Sequence, residues 1–364
     1  MSPPLEEHFL GNRLHGRNGL SLEYVYTGEI FTNMRGGLST SGATRYKGNF
    51  DLMMTADLAE MGLAPQGVFF LYANEGHGQG ITDDFVGDFQ GISNIDGLHS
   101  MQVTEFWYEH NFLDGAMSVR VGKQDANADF AVVDLATDFM NGSFGQHPNI
   151  PMPAWPDGAM GAALFLELNE TSQFRGGVWD GASEGGNWGV SGTGDVFTMI
   201  ELDKRYDFGG KPGEVFVGLW HHNGDFHNPV NPSCGGCYGF EFGAEQLLLK
   251  ERSNDPEDEQ GLAAFFQYGW SPESRNEVCH YFGTGLVYQG LFPRRNEDLF
   301  GLALAQAHFS DFLIDQTRET VLEAFYKMQL TPSAVVQPDL QYIVRPNGEH
   351  RDAFAFGLRF EVVL

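Results

Sequence analysis

The sequence predicts an all-β chain: a closed antiparallel transmembrane β-barrel of about sixteen strands, with one long loop folded into its lumen. Three observations carry that expectation. The chain ends on two segments that alternate apolar and polar residues without a break. Similar segments recur along the chain from residue 19, and helical periodicity is nearly absent. No apolar run reaches the ~18 residues that a membrane-spanning helix needs.

The closing segments show the logic. Phe354, Phe356, Leu358, Phe360, Val362 and Leu364 fall on one face, and Ala353, Ala355, Gly357, Arg359 and Glu361 on the other. Before them, Ala334, Val336, Pro338, Leu340, Tyr342 and Val344 oppose Gln337, Asp339, Gln341 and Arg345. The segments meet at Arg345–Glu349, whose Asn-Gly pair signals a tight hairpin. A soluble sandwich rarely ends on an exposed apolar face, whereas lipid accepts one.

Read forward, strands are expected at 19–35, 42–60, 66–73, 101–112, 115–124, 158–169, 172–181 and 194–207. They continue at 213–223, 238–250, 260–271, 278–290, 298–309, 318–330, 333–345 and 351–364. That is an even number, as a closed barrel with both termini at one end requires. In 318–330, Thr320, Leu322, Ala324, Tyr326, Met328 and Leu330 oppose Glu319, Glu323, Lys327 and Gln329. In 42–60, Phe50, Leu52, Met54, Ala56 and Leu58 oppose Arg45, Lys47, Asn49, Asp51 and Asp57. Charges of both signs on the inner face mean water inside, because a dry core would not hold them unpaired.

Composition agrees. Phe (31 residues) and Gly (47) are abundant while the mean hydropathy is −0.27, as suits strands that are apolar on one side only. The formal net charge of −28 excludes a nucleic-acid binder and favours metal cations, neutral solutes or basic ligands. Met1–Glu6 has neither the charged nor the apolar region of a signal peptide, so a signal is expected to have been removed before this numbering. We expect residues 1–18 to be an N-terminal extension and 19–364 a single barrel domain.

Connections alternate in length. Tight ones are read at Asp114-Gly115, 208–213 and 346–348; long ones at 74–100, 125–157, 224–237 and the acidic 252–259. The segment 125–157 is too long and too apolar to lie idle in solvent. Folding into the lumen covers its Phe and Trp side chains and narrows the barrel, and Phe130, Val133, Leu135 and Phe139 have the spacing of a short helix. Of the three cysteines, Cys234 and Cys237 suggest a small loop disulfide, leaving Cys279 over. His221, His222 and His227 raise a metal site as the alternative, with no second ligand pair to complete it.

Several runs resemble the carbohydrate-selective porins of the OprB family: Gly122–Asn127, Phe139–Gly145, Pro156–Gly161, Gly176–Gly181, and the ending Pro332–Ile343 with Gly357-Leu-Arg359. The resemblance covers the chain from about Gly19 onward. It implies a sixteen-stranded barrel in the bacterial outer membrane that passes glucose and related sugars by diffusion. The chain departs from the pattern in ending on Leu364 rather than Phe, and in its acidity.

Three classes of function remain to weigh. A sugar channel needs aromatic faces and planar polar groups that never form a deep trap. Trp179 and Arg175 share an inner face, and Trp155 and Asp157 end the long loop. The residues expected to line the constriction or meet solute are Arg35, Arg120, Asp125, Asn127, Phe130, Asp134, Phe144, Trp155, Asp157, Arg175, Trp179 and Arg359. For each single Arg, a barrel-wall ion pair is the simpler role. The second class is a general or cation-preferring porin lined by Glu23, Glu29, Asp51, Glu105, Glu109, Glu201, Glu214, Glu241, Glu245, Glu319 and Glu323. The third is an enzyme, for which no HExxH and no coherent Ser/His/Asp set is present. No cofactor is expected, with calcium at the acidic loops left open. Partners would be small sugars, outer-membrane lipid and lipopolysaccharide, with no nucleic acid; either a monomer or a trimer fits.

Overall fold

The computed structural model describes residues 14–15, 19–96, 101–182, 188–226, 234–251 and 260–363. Its single sheet has seventeen strands, one of them the two-residue piece Leu14–His15, which pairs with Ser21 and Leu22. The remaining sixteen close a ring. The first eight are β1 (Leu20–Arg35), β2 (Thr44–Asp57), β3 (Gly67–Gly78), β4 (Met101–Phe112), β5 (Met117–Gln124), β6 (Ala159–Asn169), β7 (Ser172–Asp180) and β8 (Val196–Asp207). The others are β9 (Pro212–Phe226), β10 (Cys234–Lys250), β11 (Gly261–Trp270), β12 (Val278–Gln289), β13 (Leu299–Phe309), β14 (Arg318–Thr331), β15 (Ala334–Val344) and β16 (Ala353–Val363). Each pairs antiparallel with its neighbours in sequence, and β16 closes on β1 with Gly357 opposite Phe31 and Arg359 opposite Glu29.

All sixteen expected segments are strands. The differences lie at the loop ends: β3 runs on to Gly78, β9 to Phe226, and β10 begins at Cys234. Glycines there read as punctuation, but pairing to a neighbouring strand overrides local preference. Two turn assignments change ends. Both termini share an end with the connections 58–66, 113–116, 170–171, 208–211, 251–260, 290–298 and 332–333. The acidic segment 252–259, itself outside the described residues, therefore joins strands at the terminus end. Pro346–Gly348 belongs to the opposite, long-loop end, where Arg345, Asn347 and Gly348 take positive φ.

Side-chain alternation divides the wall as the residue pattern requires. Ile30, Val178, Ile200, Leu219, Leu302 and Leu340 are exposed on the outside, while Glu29, Gln267, Glu323 and Gln341 are buried inside. Inward glycines sit opposite large rings in the next strand: Gly357 and Phe31, Gly301 and Phe325, Gly285 and Phe265, Gly243 and Phe216, Gly161 and Trp179. A Cβ on Gly243 would stand 2.0 Å from the Phe216 ring, and one on Gly161 2.2 Å from Trp179. The rings thus lie flat over bare backbone, which keeps the inner lining thin enough for loops to enter.

The expected Cys234–Cys237 disulfide is not formed: Cys237 is a buried free thiol, hydrogen-bonded at 3.3 Å to Ser271, and Cys279 is free as well. Among the described residues no group of three or more His, Cys, Asp or Glu side chains has the geometry of a metal site; His227 lies outside them.

Candidate functional site

The segment 125–158 enters the barrel, as its aromatic content required. Phe130, Ala131, Ile150, Met152 and Ala154 pack against Ala163, Trp179, Phe197, Met199 and Trp220 of the wall. Val133, Ala136, Phe139, Met140 and Phe144 pack against Phe216, Phe265, Tyr281 and Phe325 further round. Phe139 stacks edge-on to Phe325 at 4.8 Å and to Phe265 at 5.7 Å. The expected short helix is reduced to single turns at Asp134–Ala136 and Gly142–Gly145, because the backbone turns repeatedly to reach successive seats on the wall.

Burying a loop leaves its backbone N–H groups without water, and the wall supplies the acceptors. Glu105 accepts from Asp125 N at 3.1 Å, Glu201 from Ala131 N at 2.9 Å, and Glu245 from Leu135 N at 3.2 Å. Glu323 accepts from both Met140 N (2.6 Å) and Asn141 N (3.0 Å). Wall donors serve the loop carbonyls: Gln267 to Phe144 O, Tyr281 to Ser143 O and Gln337 to Asp138 O. Each charge-assisted bond of this kind contributes roughly 1.5–3 kcal/mol. Of the eleven inner carboxylates that suggested a cation lining, Glu105, Glu201, Glu245 and Glu323 are thus committed to holding the loop.

The long connection 74–100 also turns inward over 79–96, a course that its residues did not signal as plainly. Ile81, Phe85, Val86 and Ile92 are buried with the first loop's Phe139 and Phe144. Glu319 accepts from Phe89 N (2.8 Å) and Gln90 N (2.9 Å), and Asn33 Nδ2 donates to Gly36 O, Ser39 O and Phe85 O. The two loops also bond to each other, Asn94 N to Met140 O and Gly142 N to Gly91 O. The signal was present in the apolar spacing of Ile81, Phe85, Val86, Phe89 and Ile92, hidden between glycines and acids.

The individual site expectations divide accordingly. Trp179 is 2% exposed and edge-on to Phe130 at 5.3 Å, so it seats the loop. Phe130 and Phe144 are equally buried. Arg120 is buried between Glu109 (3.0 Å) and Asp129, with its guanidinium 4.1 Å from the Trp107 ring centroid. Arg35 stands exposed at the loop-side end of β1 and makes no ion pair among the described residues. Asp125 caps Asn127 N at 2.8 Å, and Asn127 Nδ2 donates to Phe130 O, so this pair shapes the loop's entry. Burial, the largest effect, lifts the Asp125 carboxyl to about 6 against the pull of those N–H bonds. Arg359 joins Glu29 (2.9 Å) to Asn94 (2.6 Å) and Ser93 of the second loop. Asp134 is exposed, and Trp155 and Asp157 are half-exposed.

Openness to water separates the ion pairs. Lys327 and Asp138, 2.6 Å apart, keep 24% and 25% of their side-chain surface exposed, and Arg175, between Glu201 and Asp203, keeps 22%. Arg359 keeps 12% and Arg120 only 5%. Near Trp155, Tyr72 donates to Asp51 at 2.6 Å.

A sixteen-stranded barrel, apolar outside, polar inside and constricted by inward loops, is an outer-membrane porin. The model of the carbohydrate-selective porin, OprB family, matches residues 41–364, and the chain belongs to that family. It is thus an outer-membrane channel through which carbohydrates diffuse. Porin B of Pseudomonas aeruginosa is 25% identical over 95% of this chain and 87% of its own length. A putative porin, QuiX, of Acinetobacter baylyi is 21% identical over 92% of this chain and 88% of its own. In fold, the high-pH structure of Pseudomonas putida OprB superposes with a TM-score of 0.87 at 23% identity, covering 95% of this chain and 94% of that one.

Proposed function

We propose that sugars pass along the strip of inner surface that the two loops leave open, exchanging hydrogen bonds with Lys327–Asp138 and Arg175 and touching Trp155. The carrying observation is that Lys327–Asp138 and the Arg175 guanidinium stay open to water while the Arg359 and Arg120 pairs tying loop to wall are closed. A preformed donor beside an acceptor matches vicinal hydroxyls and releases them readily, since each bond to solute replaces one to water. Trp155 offers a face for C–H patches; a contact of that kind at a wet site contributes roughly 0.5–1 kcal/mol. The commitment of Glu105, Glu201, Glu245, Glu319 and Glu323 to backbone N–H groups argues against a cation-selective lining. We propose further that the chain has no catalytic activity and that its apolar outer face meets lipid and lipopolysaccharide.

Planar-bilayer conductance titrated with glucose, disaccharides and small cations tests this reading. Glucose should block current weakly, and Asp138→Asn with Lys327→Gln should reduce the block while the barrel still assembles. Absence of block in the parent protein together with strong cation preference would reject it.

A further inference from the structure

The outer wall carries one feature that lipid tails do not explain. At the long-loop end, three neighbouring strands place His280, His308 and Arg318 opposite one another in a single outward-facing row. One step towards the middle of the wall the row becomes Phe282, Gln306 and Thr320, with Gln306 Nε2 donating to Thr320 Oγ1 at 2.8 Å. One step further it is Thr284, Leu304, Leu322 and Tyr342. The surface thus passes from apolar to basic over two register steps, which places the basic row at the level of the head groups.

In a chain with 49 Asp and Glu against 21 Lys and Arg, a bare arginine invites a reason. Arg318 is exposed and makes no ion pair among the described residues. Arg345 lies beside it, its guanidinium donating to Thr317 Oγ1 at 3.2 Å and making no ion pair among the described residues, while its backbone N–H donates to Asp352 Oδ1 at 3.1 Å. His280 uses one ring nitrogen on Tyr268 Oη (2.9 Å), and its ring lies 6.3 Å from that of His308. Asp311 and Asp315, exposed in the loop between β13 and β14, make no ion pair with the row. An aromatic girdle accounts for Tyr268 and Phe282 but not for a guanidinium on the lipid side.

Resting on the outer-membrane reading of this wall, we propose that the row His280–His308–Arg318, with Arg345, binds the phosphorylated head group of an anionic lipid in the outer leaflet. The guanidinium fork matches phosphate oxygens, the imidazoles add donors, and the acyl chains lie on the Leu322 and Leu304 surface just below. The occupant is a membrane lipid and not free phosphate because the basic row and the apolar wall are continuous.

The test is native mass spectrometry of the full chain in neutral detergent. It would be titrated with bis-phosphorylated lipid A, with the same lipid dephosphorylated, and with inorganic phosphate. The phosphorylated lipid should bind, and Arg318→Gln with Arg345→Gln should weaken it roughly 30-fold, about five-fold for each arginine. Arg294→Gln, at the opposite end, should leave binding unchanged. If the double variant fails to assemble, as judged by heat-modifiable migration, His308→Gln is read instead and should weaken binding a few-fold. Equal binding of the dephosphorylated lipid, no change in either variant, or displacement of the lipid by inorganic phosphate at comparable concentration would each overturn the proposal.

Discussion

The two loops that fill this barrel are held differently. The segment 125–158 is spread over the wall: carboxylates from β4, β8, β10 and β14 take its N–H groups one or two at a time, and its rings occupy two separate apolar seats. The segment 79–96 concentrates its bonds on few residues, chiefly Glu319 and Arg359, with Asn33 donating to Phe85 O and Gln341 to Ile92 O. A long loop with distributed anchors tolerates losing any one of them. A short loop with concentrated anchors does not. Both loops combine apolar cover with polar capping; they differ in how their anchors are spread.

The largest effect should come from removing the first loop's tip. Deleting Asp134–Gly145 takes away Phe139, Met140 and Phe144 together, and single-channel conductance should rise several-fold if the barrel assembles. Unchanged conductance would mean that the tip does not set the narrowest section. Next in size is Trp179→Ala. A ring buried against Phe130 and Phe197 leaves a cavity, so stability to heat or urea should fall by about 3–5 kcal/mol. Its sugar block should change only as far as the loop loosens. A selective loss of block at full stability would restore Trp179 as a contact surface for solute.

The same contrast explains what the sequence disclosed. Strand number and facing were legible because a two-residue period set against lipid is unambiguous, as in Phe354 to Val362. The inward course of 125–158 was legible because Phe130, Phe139 and Phe144 need cover. The role of Trp179 was not, because an inward ring reads alike whether it faces water or a loop laid over it; for Arg120 the wall ion pair with Glu109 was legible, and the loop partner Asp129 was not. Nor was the use of Glu201 or Glu323: an acidic side chain on a wet face looks like a lining until a backbone N–H is found 2.9 Å or 2.6 Å away. Distance along the chain, 183 residues from Met140 to Glu323, hides such partners.

Concentrated and distributed anchoring can be compared directly. Glu319→Ala leaves Phe89, Gln90 and Asn347 N–H groups without their acceptor and should cost about 3 kcal/mol, with increased proteolysis within 79–96. Asn33→Ala removes three bonds to carbonyls, one of them Phe85 O of this loop and two in the connection 36–43, and should cost about 1–3 kcal/mol with a weaker signature within 79–96. Glu245→Gln, one of several anchors of the other loop, should cost less than either. If Glu245→Gln proved the most damaging of the three, the contrast between the loops would fail.

The last effect concerns acid. His147 is wholly buried, its ring centroid 5.0 Å from that of Tyr281, and burial drives its pKa down to about 3. Glu241 lies 3.8 Å from Nδ1, a distance that would favour the charged ring, but with both side chains fully buried the loss of hydration prevails. The sign follows from the two states. An unfolded histidine takes up its proton near pH 6.5 while the folded one does not until about 3. Stability contributed by the neutral ring is therefore complete above pH 6.5 and declines as pH falls towards 3, by up to about 1.4 kcal/mol per unit for this group alone. Asp125, lifted to about 6, acts in the opposite sense, since its protonation in the folded state relieves a cost as acid is added. His147→Phe keeps the ring against Tyr281 and removes the titration. Its apparent stability should fall less steeply than the parent's between pH 6 and 4. A parallel decline in both proteins would show that other buried groups, not this imidazole, set the acid limit of the inward loop.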